Sequence, residues 1–243
     1  PAPISPVQSS SYPTVLFNAM VKPWTAFPIK GVIWYQGEAN VGRSEQYGDL
    51  FPALITDWRR QWRSDFPFYF VQLANFMESK KIQPDSEWAA LREAQTKALK
   101  LDQVGMAVTI DIGLADDIHP KNKQEVGRRL ALVALAGSYG KNVSSSAPVF
   151  QNYIIKGNKM ELDFGQKQDG FQIKGTTLKG FIIAGPDRVF YPAEAMVHDG
   201  KIILSSTEVP APLAARYGWA DNPDCNLYGE NGLPVAPFRT DCW

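Results

Sequence analysis

Apolar residues recur at steps of three and four over 44–63, where Tyr47, Leu50, Phe51, Leu54, Ile55, Trp58 and Trp62 share one side of a 3.6-residue period. The spacing predicts a helix there, with Pro52 as a point of bending or restart. A second amphipathic run over 84–100, opened by Asp85 and Ser86, predicts another helix. NKQEVGRRLALVALAG predicts a third, with Asn122 as cap, Glu125 three residues on and Gly137 as stop. Three short runs alternate with these helices: GVIWYQ (31–36), PFYFVQLA (67–74) and VGMAVTID (104–111). All are largely apolar on both faces, the mark of parallel strands covered by helices. The first 30 residues, rich in Pro and Ser, predict extended chain with a short helix at 14–22.

The texture changes near residue 147. From there short β-branched or aromatic runs, such as KMELDF, GFIIAG and KIILSS, alternate with Gly, Asp and Asn turns. That pattern predicts an antiparallel sandwich or barrel of roughly four to six strands. The chain thus divides into an α/β part (1–146), a β-rich accessory part (147–215) and an irregular tail (216–243) that packs back on the body.

Composition narrows the function. Lys plus Arg and Asp plus Glu each number 25. That balance argues against a nucleic-acid or anionic-membrane surface, which needs clustered positive charge. No apolar run approaches the roughly 20 residues of a membrane span, and PAPISPVQSSSYPT has no signal-peptide pattern. Cys225 and Cys242 are not spaced as a metal or redox pair. They read either as two unrelated thiols or as a disulfide closing the tail, which would imply an oxidising compartment, extracellular or periplasmic.

In such sheets the site forms past the carboxyl ends of the strands. Two polar clusters fall there: QGEAN after the first strand and GLADDIHP after the third. His119 sits in the second, with Asp116 and Asp117 just before it. Imidazole is the natural general base near neutral pH, and a carboxylate two or three residues earlier can hold its other N–H. Gln36, Gly37, Glu38 and Asn40 gather hydrogen-bonding groups at one strand end, suited to holding an oxyanion. Read blandly, they are turn and cap residues. The other histidine, His198 in MVHDGKI, reads as a hairpin residue. One loop histidine without tight ligand spacing gives little support for a metal.

GVIWYQGEAN, DDIHPKNKQEVGRRLA and RYGWADNPDCNLYGENGLPVAPFRTD together resemble the sialate O-acetylesterase family, within the wider GDSL/SGNH hydrolases. The resemblance runs from about Ser11 to Trp243. It implies a flavodoxin-like three-layer α/β/α hydrolase fold with a β-rich addition, here incomplete. It further implies serine-type removal of acetyl groups from O-acetylated sugars, without a cofactor. His119 matches the general base. Asp116 or Asp117 matches its orienting acid. Gln36, Gly37 and Asn40 match the oxyanion and substrate block, to which Glu38 also belongs. The family's nucleophile lies in a GQSNM-like motif after an earlier strand, and this sequence contains no such motif. The expectation is a C-terminal portion whose serine is supplied by a missing N-terminal segment or another chain along the 31–36 strand edge, inactive alone. A non-catalytic carbohydrate-binding or assembly module is the alternative, and a fragment without activity of its own a third.

Overall fold

The computed structural model describes residues 12–165 and 170–243. Its α/β part follows the order β1 (Val32–Trp34), α1 (Ser44–Trp62), β2 (Phe68–Val71), α2 (Glu87–Thr96), β3 (Val104–Ala107) and α3 (Lys123–Gly137). The strands form a parallel sheet ordered β1-β2-β3, with Ile33 opposite Tyr69 and Tyr69 opposite Gly105. Helices α1 and α2 cover one face, where Phe51, Ile55, Trp88 and Leu91 pack on Phe68 and Phe70. Helix α3 covers the other, where Val126, Leu130 and Val133 meet Tyr69 and Val71. The mixed α/β class predicted by the pattern is the one observed.

Local details depart from it. Pro52 does not restart α1, which runs through it as one helix, Ser44–Trp62, at the cost of a backbone bond. The predicted 14–22 helix is present as a wide π-helical stretch, Phe17–Val21, followed by a 3-10 turn at Lys22–Trp24. α3 does end at Gly137, which is its last helical residue. A Cβ on it would meet the Tyr69 hydroxyl at 2.5 Å, so glycine is required by close approach. Asn122 does cap α3, its Oδ1 accepting from the Glu125 amide at 3.1 Å.

The β-rich part has more strands than predicted because each is short. Among the described residues seven strands and the start of an eighth fall within 147–215, and two more lie in the tail. These are β4 (Asn152–Lys156), β5 (Lys159–Asp163), β6 (Phe171–Ile173), β7 (Phe181–Ala184), β8 (Phe190–Pro192), β9 (Glu194–His198), β10 (Lys201–Ser205), β11 (Ala214–Tyr217), β12 (Leu227–Gly229) and β13 (Phe238–Arg239). Two four-stranded sheets, β4-β5-β10-β9 and β13-β11-β7-β8, enclose one core, and β12 pairs with β6. Asp199 and Gly200, both at positive φ, turn the β9–β10 hairpin and leave His198 exposed.

The tail is more ordered than its composition suggests. It contributes β12 and β13, and Phe238 stacks on Phe150 at 4.3 Å. It also grips the α/β part. The fully buried Arg92 donates to Leu73 O, Ala74 O, Ala220 O and Asp221 O at 2.7–2.9 Å. Cys225 and Cys242 are both free thiols, so the predicted alternative of a closing disulfide is not realised. The tail is held by side-chain bonds to backbone carbonyls instead, and the cysteines lend no support to an oxidising compartment. No helix among the described residues is long and apolar enough to cross a membrane.

Candidate active site

Both polar clusters lie beyond the carboxyl ends of the parallel strands, and they share a cleft of about 330 Å3. Tyr35, Gln36 and Glu38 line one side; Ile118, His119, Pro120 and Lys123 line the other. Gly37, Asn40, Asp116 and Asp117 are not part of this lining.

Gln36 is locked on several sides. Its Nε2 donates to Asn40 Oδ1 at 2.7 Å, and its Oε1 accepts from the Tyr47 hydroxyl at 3.2 Å. Gln95 Nε2 donates to its backbone oxygen at 3.3 Å. With Asn40 Oδ1 engaged, the Asn40 Nδ2 group and the second Gln36 N–H are the donors left for a ligand. Gly37 makes this crowding possible. Its φ of 157° and ψ of −26° suit only glycine, and a Cβ would press on Gln95 Nε2 at 3.1 Å and Leu73 Cδ2 at 3.3 Å. Glu38 opens a 3-10 turn through Asn40. Beside it, burial and then the Glu38 charge push the Tyr35 hydroxyl up to about 12. The Lys123 ammonium lies 4.9 Å above the Tyr35 ring.

His119 is open to solvent, with its side chain 85% exposed against 35% for Asp117. Of the two candidate aspartates, Asp117 is the neighbour: its Oδ1 accepts the His119 amide at 2.9 Å and lies 3.6 Å from Nδ1. The second gap is beyond hydrogen-bond range. Asp116 is exposed and makes no such contact with His119. No described serine lines the cleft, and Ser9, Ser10 and Ser11 lie outside the described residues. No group of three or more His, Cys, Asp or Glu able to hold a metal occurs among the described residues.

A family model described as carbohydrate esterase, sialic acid-specific acetylesterase matches residues 6–136. The chain belongs to this family. Curated sialate O-acetylesterases from Homo sapiens and Rattus norvegicus are 32% and 29% identical to it over 97% of its length. They are longer: the chain covers 50% and 48% of them, about half. A crystal structure of a novel carbohydrate acetylesterase from Xanthomonas citri superposes with a TM-score of 0.90 at 46% identity, over 95% of this chain and 55% of that one. The α/β topology and the β-rich addition are therefore those of a carbohydrate acetylesterase.

Sequence reading missed the residues that steady this esterase-family cleft. Tyr47 and Gln95 hold Gln36, and Arg129 holds the base of the His119 loop through Asp111 at 2.6 and 2.9 Å. One signal was available: Arg92, Gln95 and Arg129 are polar residues at core-facing positions of amphipathic helices, and a buried polar group needs partners.

Glu125, in the first turn after that loop, receives Arg128 at 2.7 and 2.8 Å and Arg129 at 2.8 Å. The Arg128 hydrogen bonds first, with Arg129 adding to them, lower its carboxyl from 4.5 to about 2. A depressed carboxyl stabilises the fold fully above the unfolded value of 4.5, and that contribution disappears as pH falls to about 2. Glu125→Gln is expected to lower stability at neutral pH and to flatten the acid limb between those values. Urea unfolding across pH checks this; an unchanged acid limb in the variant would refute it.

Proposed function

We propose that this chain is the histidine-bearing part of a serine-type carbohydrate O-acetylesterase, of the GDSL/SGNH kind, directed at O-acetylated sialic acids or related sugars. The observation that carries the reading is the shared cleft, where His119 faces Gln36 with Asp117 at its back. In the reaction a serine oxygen attacks the acetyl carbonyl while His119 takes its proton. The developing oxyanion is held by amide donors of the Gln36–Asn40 block. Collapse breaks the bond to the sugar oxygen, which leaves with the proton from His119. Water then attacks the acetyl-serine with His119 again as base, releasing acetate.

The serine is supplied from outside the described residues, on a strand laid along the free side of β1. Two features support this. Among the described residues β1 pairs only with β2, and Ile33 at its centre is 70% exposed, an apolar edge that invites another strand. The sandwich supports a sugar-binding reading less well, because Phe150, Phe164, Phe181, Tyr217 and Phe238 stack on one another.

The chain alone is expected to turn over p-nitrophenyl acetate no faster than buffer. Pairing it with the part of the Xanthomonas citri relative that this chain does not cover is expected to create turnover that His119→Ala lowers by about 10²- to 10⁴-fold. Turnover by the chain alone that is abolished by His119→Ala would place the serine within it. Acetyl release from the pair that His119→Ala leaves undiminished would overturn the reading.

A further inference from the structure

The loop bearing His119 is tied to the tail through two asparagines. The Asn75 side chain, just past β2, accepts the Gly113 amide at 2.7 Å through Oδ1. Its Nδ2 donates to Asn222 Oδ1 at 2.8 Å, and Asn222 Nδ2 donates to Met77 O at 2.7 Å. The Met77 amide in turn donates to Ala115 O at 3.1 Å, and Phe76 bridges Leu114. Both amide side chains thus have each end committed, which fixes their orientation. Gly113 lies flat against Asn75, leaving no room for a Cβ. Residues 113–115 are stitched to 75–77, and those to residue 222 of the tail, while Tyr228 of the tail reaches Asp111 Oδ2 at 3.1 Å.

We infer that Asn75 and Asn222 are positioning residues for His119, through which the tail sets where the base stands. The inference rests on the acetylesterase reading for its functional meaning, and on the bonds above for its geometry. Nothing in Asn75 or Asn222 touches the cleft, so their effect passes through the loop.

Proton NMR of this chain tests it directly, because its two histidines lie in different parts. His198 in the sandwich hairpin serves as an internal reference for His119. Asn75→Ala and the milder Asn222→Ala are expected to shift the His119 ring signals and leave those of His198 in place. Exchange of the Gly113 amide should rise about fivefold or more in Asn75→Ala, as one lost hydrogen bond implies. Asn75→Asp keeps the acceptor and should retain Gly113 protection. In the paired enzyme Asn222→Ala should lower kcat by about 10- to 100-fold with KM within about twofold. Unmoved His119 signals in both alanine variants, or equal shifts of both histidines, would overturn the inference. If His119 moves while the paired wild type hydrolyses no acetyl ester, the esterase reading fails and the positioning role stands.

Discussion

In the paired enzyme, His119→Ala is expected to lower kcat for acetyl-ester hydrolysis by about 10²- to 10⁴-fold, the usual contribution of a positioned base. KM should stay within about twofold, since His119 acts on a proton that moves only during reaction. Residual turnover should remain, because the Gln36–Asn40 block still offers donors to the oxyanion. The neighbouring aspartates should separate sharply. Asp117 accepts the His119 amide and stands 3.6 Å from its ring, so Asp117→Asn should cost about tenfold or more in kcat. Asp116 makes no bond to His119, and Asp116→Asn should stay within about twofold of wild type. Single-variant kcat and KM on an acetyl ester decide this. A larger loss from Asp116→Asn would transfer the orienting role to it.

The second large effect is structural. Arg92→Met should destabilise the chain by about 3–5 kcal/mol, the scale for removing one side of a buried charged hydrogen-bond set. Burial lowers the Arg92 guanidinium to about 9, so it remains charged at neutral pH. Its charge is met by four carbonyl oxygens, two past β2 and two in the tail. Removing it leaves all four without that donor in a region closed to water. Arg92→Lys should rescue little, because an ammonium cannot span the same fork. Urea unfolding measures both; a loss under about 1 kcal/mol for Arg92→Met would show that the tail is held by other means. The tail should loosen first, visible as faster exchange at Phe76, whose amide donates to Asp221 O.

Much of the α/β part was legible because its signals are local. The 3.6-residue period of α1, the Asn122 cap and the apolar strand runs each depend on residues a few positions apart. That the two polar clusters come together was legible because parallel strands place their carboxyl ends side by side. The β-rich part was read less well. Its strands are three to five residues long in β4 to β12, too short for a period-2 pattern to separate one from the next. Gly137 was legible as the end of α3, but the packing that excludes a side chain there was not. A glycine near a helix end looks like a stop, and only the Tyr69 hydroxyl across the interface reveals why nothing larger fits.

By itself the sequence determined the class of fold, the strand ends that carry polar residues, and His119 with Gln36, Gly37, Glu38 and Asn40 as the groups of interest. These follow from periodicity and from residue chemistry, which need no distant contact. Tertiary structure alone decided that Asp117 rather than Asp116 lies beside His119, that the cysteines stay apart, and that the tail grips the loop that carries His119. Adjacent residues on a loop diverge by backbone torsions that composition does not encode. Contacts such as Asn75 with Asn222, 147 positions apart, exist only once the tail lies against the end of β2, where Arg92 also holds it.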